Sequence, residues 1–296
     1  MMRALEAVAA AALWLVLKLL AALGPVAASA LCGAVARTLG PALPVSRIAE
    51  RNLRLALPEL DAAARRRVVR LVWDNLGRTI GELANLPRLR QSAAGPGWEL
   101  TGAEHLAAAT AGGPAVIVSG HYGNWELLTP AAAQLGLSIG GLYRAIANPW
   151  VDRMINALRR RAAGQDTPFF AKGAEGARAA FAHLRRGHVL GALIDQKLNN
   201  GIAASLFGHR AMTAPAAAAF ALRLRCPVLP VHVERIGPAR LRIVCEAPIP
   251  LPDSGDRDAD ILALTEAINR RLEAWVRARP EFWLWLHRRW PNEVYR

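Results

Sequence analysis

From Trp98 to the C-terminus, short apolar runs alternate with longer stretches in which apolar residues recur at helical spacing. Five runs are typical of buried strands: Ala115–Ser119, Ser138–Leu142, Val189–Ile194, Val228–Val233 and Leu241–Cys245. Five helical stretches lie between and after them, at residues 125–136, 149–163, 174–186, 214–225 and 257–278. Strands connected through helices run parallel and are covered by helices on both faces. We therefore expect an α/β fold with a mixed, partly parallel sheet covered by helices, over residues 96–296.

The N-terminus is apolar enough to meet a membrane. Residues 7–17 carry no charge, and after Lys18 residues 19–36 continue without one. A helix over Ala4–Leu23 would be about 30 Å long, which is enough to cross the hydrocarbon layer. The segment is rich in Ala and carries Lys18 near its far end, so spanning the membrane and lying in its interface both stay open. We expect residues 1–36 to be an uncleaved membrane-anchoring helical segment; a buried core helix and a cleaved signal peptide are the less favoured alternatives.

The next region, residues 37–95, is predicted to be helical. One helix runs from Ser46 to Leu57, before Pro58, and Asp61 is a plausible N-cap for a second that ends near Leu83. The triplet Arg65 to Arg67 falls in the first turns of this second helix, where cations oppose the macrodipole. The triplet therefore serves either solvation of a polar face or docking to an anionic surface.

Charge and hydropathy narrow the class of protein. The chain has 37 basic and 23 acidic residues, a net charge of +14, and 53% apolar residues. Disordered chains are poor in apolar residues, and after residue 36 the charges come too often for a further membrane span. Nucleic acid is a disfavoured partner, because the Arg residues are spread along the chain and do not cluster with aromatic residues. Membrane phosphates, a phosphorylated substrate and an acidic protein remain as anionic partners.

Several common site motifs are absent from the sequence. It contains no Walker A loop, no G-x-G-x-x-G after a strand, no H-E-x-x-H and no G-x-S-x-G. Cys32, Cys226 and Cys245 are far apart and lack metal-ligand spacing, which favours thiols that fill the core. We expect no metal and no cofactor.

The strongest local signal is the segment from Ser119 to Glu126, which directly follows the strand Ala115–Ser119. The carboxyl end of a strand in a βα unit is where active sites form, and Gly120 and Gly123 permit a tight turn there. With His121 on that turn and Glu126 in the first helical turn, Glu126 would bind one imidazole nitrogen. The other nitrogen would then act as general base on a substrate hydroxyl. The alternative from these residues alone is a structural histidine on a glycine-rich turn.

His121-x4-Glu126 is also the H-x4-[D/E] signature of glycerolipid-type acyltransferases, and nearly the whole chain resembles the bacterial lipid A biosynthesis (late, or secondary) acyltransferase family. The other matching segments, in chain order, are Arg51-Asn52-Leu53, Leu57-Pro58-Glu59-Leu60, Gly102-x-Glu104-His105, Tyr143-Arg144 with Asn148-Pro149, Arg159-x-Arg161, Leu184-Arg185-Arg186-Gly187, Asp195, Phe207-Gly208, Met212-Thr213-x-Pro215-Ala216 and Pro280-Glu281-x-Trp283-x-Trp285-x-His287-Arg288-Arg289-Trp290. The resemblance implies a glycerolipid-acyltransferase-like fold and transfer of a fatty acyl chain from an acyl carrier protein thioester to a hydroxyl of a lipid A precursor.

The resemblance also implies partners and a location. They are the acyl carrier protein, a membrane glycolipid acceptor and the bacterial inner membrane, with the catalytic part on its cytoplasmic side. The turn from His121 to Glu126 is shared with relatives that acylate other amphiphiles, so a phosphatidylinositol mannoside, an aminolipid or a lysophospholipid is an alternative acceptor. A catalytically inactive membrane scaffold is the alternative outside enzymes.

Three further residues fall where the family keeps polar groups around its site: Arg144, Arg159 and Asp195. An Arg near the base suits either the thioester oxyanion or a phosphate of the acceptor. Asp195 ends a buried strand, so we expect an Arg partner that keeps it ionised.

The last two expectations concern structural roles. Thr213 is predicted to cap the helix that begins at Ala214 or Pro215. Trp283, Trp285 and Trp290 stand close together near the C-terminus, beside basic residues. Their rings are expected either to form a belt at the membrane interface or to pack in the core.

Overall fold

The computed structural model describes residues 2–143, 146–164 and 166–295. Its helices, in chain order, are α1 Met2–Leu39, α2 Ser46–Ala56, α3 Ala62–Leu83, α4 Ala103–Thr110, α5 Leu128–Gln134, α6 Pro149–Ala163, α7 Ala174–Arg185, α8 Ala216–Leu224 and α9 Arg257–Ala278. Its strands are β1 Gly97–Thr101, β2 Ala115–Ser119, β3 Ile139–Tyr143, β4 Phe169–Ala171, β5 Val189–Leu193, β6 Lys197–Leu206, β7 His209–Thr213, β8 Val228–Gly237 and β9 Arg240–Cys245.

The main sheet has seven strands in the order β1-β9-β8-β2-β5-β3-β4. Neighbouring strands are parallel except for β8 and β9, which pair antiparallel. The middle strand, β2, is buried along its whole length, as a parallel strand covered on both faces should be. A separate antiparallel hairpin is formed by β6 and β7. The predicted α/β fold with a partly parallel sheet is confirmed.

All five predicted strands are present, and four further strands, β1, β4, β6 and β7, were not predicted. Strands β1 and β4 lie at the two edges of the sheet, and β4 has only three residues. Edge strands and hairpins owe their conformation to pairing with a neighbour, which their own sequences do not show. The hairpin strand β6, although ten residues long, begins with the mostly polar residues 197–201 and lacks a long continuous apolar run.

Helix α3 begins as predicted, because the side chain of Asp61 accepts a hydrogen bond from the backbone N–H of Ala64 at 2.7 Å. Within the arginine triplet that follows, Arg65 binds Glu50 of α2 at 2.6 Å, whereas Arg66 and Arg67 are exposed. The triplet is thus divided between an ion pair inside the helical region and two exposed cations on its surface.

Helix α1 continues far beyond the predicted end at Leu23, although Gly24, with φ of +78°, interrupts its helical geometry. It packs tightly on α3 at two glycines. A Cβ on Gly77 would lie 2.2 Å from the carbonyl oxygen of Cys32, and one on Gly81 would lie 2.4 Å from that of Ala28. The stretch Glu6–Ala42 is long and apolar enough to cross a membrane by length and composition alone.

Two structural expectations near the C-terminus are decided by packing. Trp283, Trp285 and Trp290 are fully buried around Phe207, so they pack in the core and do not form an interfacial belt. The predicted capping role of Thr213 is wrong. Its hydroxyl donates to the carbonyl of Ala211 at 3.0 Å and accepts from a buried arginine of the C-terminal segment, and Pro215 is the N-cap of α8.

Candidate active site

His121 stands on the turn that follows β2, at the carboxyl end of the middle strand. The turn contains Gly123, with φ of +59°, where a Cβ would lie 1.7 Å from the carbonyl oxygen of Val233. Only glycine fits this backbone and this close approach. The C-terminal segment also holds the turn, because the N–H of Leu284 donates to the carbonyl of His121 at 2.9 Å.

The carboxylate that binds the imidazole is that of Asp195. Its Oδ1 lies 2.8 Å from Nδ1 of His121, and its Oδ2 accepts from the backbone N–H of the same residue at 2.8 Å. Oδ2 also accepts from the indole N–H of Trp283 at 2.7 Å. Because a carboxylate only accepts, Nδ1 carries the proton in this contact and Nε2 is left with its lone pair.

This arrangement corrects two expectations from the sequence. Glu126 was expected to accept from the imidazole, but it forms a two-point ion pair with Arg159 instead, at 2.8 and 2.6 Å. Asp195 was expected to have an Arg partner, but its partners are the imidazole, the backbone N–H and the indole described above. The reason is topological. Strands β2 and β5 are parallel neighbours, so Asp195, just after β5, lies directly beside the turn after β2 that carries His121.

Arg159, on α6, fixes the position of Glu126 and shares the same cavity wall with it. Its guanidinium also contacts the amide oxygen of Asn156 at 3.3 Å. A bidentate contact holds the carboxylate and the guanidinium in one plane, so Arg159 fixes the orientation of the Glu126 side chain. Arg144, the remaining predicted site residue, lies outside the described residues.

Two groups beside the imidazole of His121 were not predicted. The side-chain amide nitrogen of Gln196 lies 3.4 Å from Nε2, and the ring centroid of Trp125 lies 5.1 Å from that of the imidazole. Gln196 directly follows Asp195 and lines the same cavity as His121. Nothing in its sequence context marks it, apart from its place at the carboxyl end of a strand.

Burial and the neighbouring charge of Asp195 shift the pKa of His121 in opposite directions. Burial lowers the pKa of His121, but the charge of Asp195 and its hydrogen bond outweigh this effect, so the pKa is raised above that of a free imidazole. Burial alone would raise the pKa of Asp195, yet the neighbouring His121 lowers it well below its usual range. The carboxylate is therefore ionised, and the imidazole is a stronger base than in water.

A second imidazole lies behind the pair. Nε2 of His287 is 3.2 Å from the carbonyl oxygen of Asp195, and Nδ1 is 2.8 Å from that of Leu284. Burial lowers the pKa of His287. In its neutral form the ring has one N–H and donates to only one of these two carbonyl oxygens.

A cavity of about 1020 Å³ opens at His121 and extends into the body of the protein. Its walls combine polar groups, among them Glu126, Arg159 and Gln196, with a larger number of apolar side chains. The apolar part is lined by Leu100, Leu106, Ile117, Leu128, Ala131, Ala132, Leu135, Leu137, Ile139, Val231, Ile243 and Cys245. Such a space suits a long hydrocarbon chain, with its reactive end at the polar mouth.

Within the described parts of the chain, no group of three or more His, Cys, Asp or Glu residues could hold a metal ion. The thiols of Cys226 and Cys245 are buried, and burial raises the pKa of Cys226 to about 11 and that of Cys245 to about 12. Neither thiol is thus a nucleophile at neutral pH.

Comparison with known families gives the class of protein. The family model described as bacterial lipid A biosynthesis acyltransferase matches residues 2–292. The chain belongs to this family. The match covers nearly the whole sequence, as the motifs had indicated, and the function is that of an acyltransferase of lipid A biosynthesis. A search of curated proteins finds no match.

Proposed function

We propose that this acyltransferase moves a fatty acyl chain from an acyl carrier protein thioester to a hydroxyl of a lipid A precursor. The observation that carries this proposal is the imidazole of His121, which is bound to Asp195 through Nδ1 and lines a mostly apolar cavity of about 1020 Å³. A base at the mouth of a hydrocarbon-lined space places an acyl carbonyl beside a hydroxyl that must lose its proton.

The proposed reaction is a direct transfer. Nε2 of His121 takes the proton of the acceptor hydroxyl while the oxygen attacks the thioester carbonyl carbon. The tetrahedral intermediate then collapses, the C–S bond breaks, and the imidazolium returns the proton to the leaving thiolate. Asp195 stays ionised throughout and stabilises the transient imidazolium, as the buried carboxylate does in other histidine-based sites. The products are an ester and a free thiol, and the thioester supplies the energy without a cofactor.

The polar end of the cavity fits an anionic acceptor. Lys172 lines its wall as a cation, Arg159 is paired with Glu126, and the side-chain amide of Gln196 faces Nε2 of His121. The acceptor hydroxyl must displace the amide of Gln196 from this nitrogen. We infer that the displaced N–H then faces the thioester oxygen, where a donor stabilises developing negative charge.

Membrane attachment is part of the proposal. On α1 the side chains of Leu15, Leu19 and Leu23 are exposed, whereas Leu17 and Leu20 are buried against the protein. One face of α1 therefore stays free for lipid while the opposite face is occupied. We propose that α1 lies along the cytoplasmic surface of the bacterial inner membrane with this face in the interface.

A cationic cleft lies where the last turn of α1 meets α3. It is lined by Arg37, Arg66, Arg67, Arg70 and Leu71, and three of its arginines lie on the exposed side of α3. Arginines beside apolar side chains suit lipid phosphates at the edge of a bilayer. The acidic acyl carrier protein is proposed as the second anionic partner of the basic surface.

The test is a purified assay with acyl-loaded carrier protein and a lipid A precursor, followed by mass spectrometry of the lipid. We expect one acyl chain to be added by the wild-type protein and none by His121→Ala. Transfer to a lysophospholipid or an aminolipid in place of the lipid A precursor would redirect the acceptor assignment. Absence of transfer to every acceptor would leave the inactive scaffold as the better reading.

A further inference from the structure

A buried polar cluster joins the helical region to the turn that carries His121. Its centre is Glu82, near the end of α3, which is fully buried. Two neutral donors reach its carboxylate at 2.7 Å each: the hydroxyl of Ser29 on α1, at Oε1, and the side-chain amide of Asn124 on the turn, at Oε2. Arg235 of β8 completes the cluster with one guanidinium nitrogen on each oxygen, the one at Oε2 at 3.0 Å.

The hydrogen-bond donors around Glu82 match a carboxylate and do not match a neutral amide. Each oxygen of Glu82 accepts two hydrogen bonds, so all donors face a group that can only accept. An amide in the same place would point its own N–H groups at Asn124 or at Arg235. The shape of the cluster thus requires a charge, which Arg235 compensates in the interior.

Helix α3 binds the same turn at a second point. The side-chain amide of Asn75 donates to the carbonyl oxygen of Gly123 at 3.1 Å. The hydroxyl of Thr79 lies 3.2 Å from the same oxygen and 2.9 Å from the carbonyl oxygen of Asn75, so its one proton is shared between the two. The guanidinium Nε of Arg235 contacts the amide oxygen of Asn75 at 3.4 Å. Two consecutive residues of the turn, Gly123 and Asn124, are therefore held by α3, two and three positions after His121.

We propose that Glu82 is a positioning residue, which holds the turn so that His121 meets Asp195 and the cavity in the reactive geometry. The hold runs from Glu82 through Asn124 to the backbone of the turn. Ser29 joins α1, the proposed membrane helix, to the same carboxylate. The role in catalysis rests on the proposed function, whereas the effect on the His121–Asp195 hydrogen bond does not.

The experiment compares Glu82→Gln and Asn124→Ala with Asp74→Asn. Asp74 is also on α3 and forms an ion pair, with Arg78 at 2.6 Å, so it is a matched control away from the turn. Proton and nitrogen NMR of labelled histidine reports the Nδ1–H of His121 in the substrate-free enzyme. Steady-state kinetics then separate kcat from the KM for the acyl donor.

We expect Glu82→Gln and Asn124→Ala to shift or broaden the Nδ1–H signal and to lower kcat about 10- to 100-fold with KM nearly unchanged, because a misplaced catalytic group slows chemistry more than binding. Asp74→Asn should leave both readouts as in the wild type. If Glu82→Gln does not fold, Asn124→Ala decides, since it keeps the pair of Glu82 and Arg235. A wild-type signal and wild-type kcat in Asn124→Ala would overturn the proposal. If the wild type itself transfers no acyl chain, the signal still tests the positioning role, so the two failures are distinct.

Discussion

Asp195 holds His121 at two atoms, the backbone N–H and Nδ1 of the ring, each at 2.8 Å. The contact follows from the sheet. In the parallel pair of β2 and β5, Ser119 stands beside Leu193, so the residues two positions further along each chain also stand side by side. The register of the two strands therefore brings His121 and Asp195 together.

Asp195→Asn should lower kcat/KM by about 10²–10⁴-fold, since an amide facing Nδ1 no longer fixes the tautomer with a free Nε2. The pH profile supplies the more specific test. The base works when neutral, and its pKa is raised, so wild-type kcat/KM should fall as the pH drops through a value above the 6.5 of a free imidazole. Without Asp195, burial alone lowers the pKa of His121, and the acidic limb should move to lower pH. A limb that stays in place would contradict the pairing.

Glu126→Gln and Arg159→Met should shift the acidic limb of the kcat/KM pH profile in opposite directions. The charge of Glu126 raises the pKa of His121 and that of Arg159 lowers it. The first variant should therefore move the acidic limb to lower pH and the second to higher pH. In the double variant the acidic limb should return close to its wild-type pH. Its activity should be no lower than that of the less active single variant, because the two residues act as one ion pair. Additive losses in activity would indicate independent roles.

Trp283→Phe should destabilise the protein by about 1–3 kcal/mol, because the buried carboxylate of Asp195 loses the indole donor. Urea unfolding measures this free energy. Trp150→Phe is the matched control, since Trp150 is half exposed and its change should lie within about 0.5 kcal/mol. Equal effects of the two substitutions would show that the indole hydrogen bond contributes nothing.

Cys245→Leu should shift the enzyme towards shorter acyl chains. Cys245 lines the cavity from β9, which is two strands from β2 and hence about 10 Å away from it. Added bulk there shortens the space for the end of the chain. Rates with carrier proteins loaded with chains of increasing length measure the effect. Cys226→Leu is the control, because Cys226 is equally buried but outside the cavity; the same preference in both variants would argue against this cavity as the acyl site.

Substitution of Arg66, Arg67 and Arg70 by Gln should weaken binding to anionic vesicles by about 1 kcal/mol for each arginine and leave binding to neutral vesicles unchanged. Added salt should reduce the difference, since it screens exposed charges. Vesicle sedimentation measures both. Leu15→Asn with Leu19→Asn should instead weaken binding to either kind of vesicle, because it removes apolar surface. Unchanged binding in all variants would exclude this face as the membrane contact.

Periodicity predicted the main secondary structure because it is a local property. The strand Ala115–Ser119 and the helices beginning at Asp61 and at Pro149 appear in the structure close to their predicted bounds. The motif around His121 and the family were also recognisable, since both depend on residue identity and order alone.

Hydrogen-bond partners that are far apart in the sequence could not be predicted from periodicity or motifs. The spacing of His121 and Glu126 suggested a local pair, but strand order places Asp195 beside the imidazole and leaves Glu126 to Arg159. The sequence by itself determined the α/β class, the turn and the place of His121 on it. Only the tertiary structure decided which carboxylate binds His121, because hydrogen-bond partners are set by which strand ends and helices meet in space.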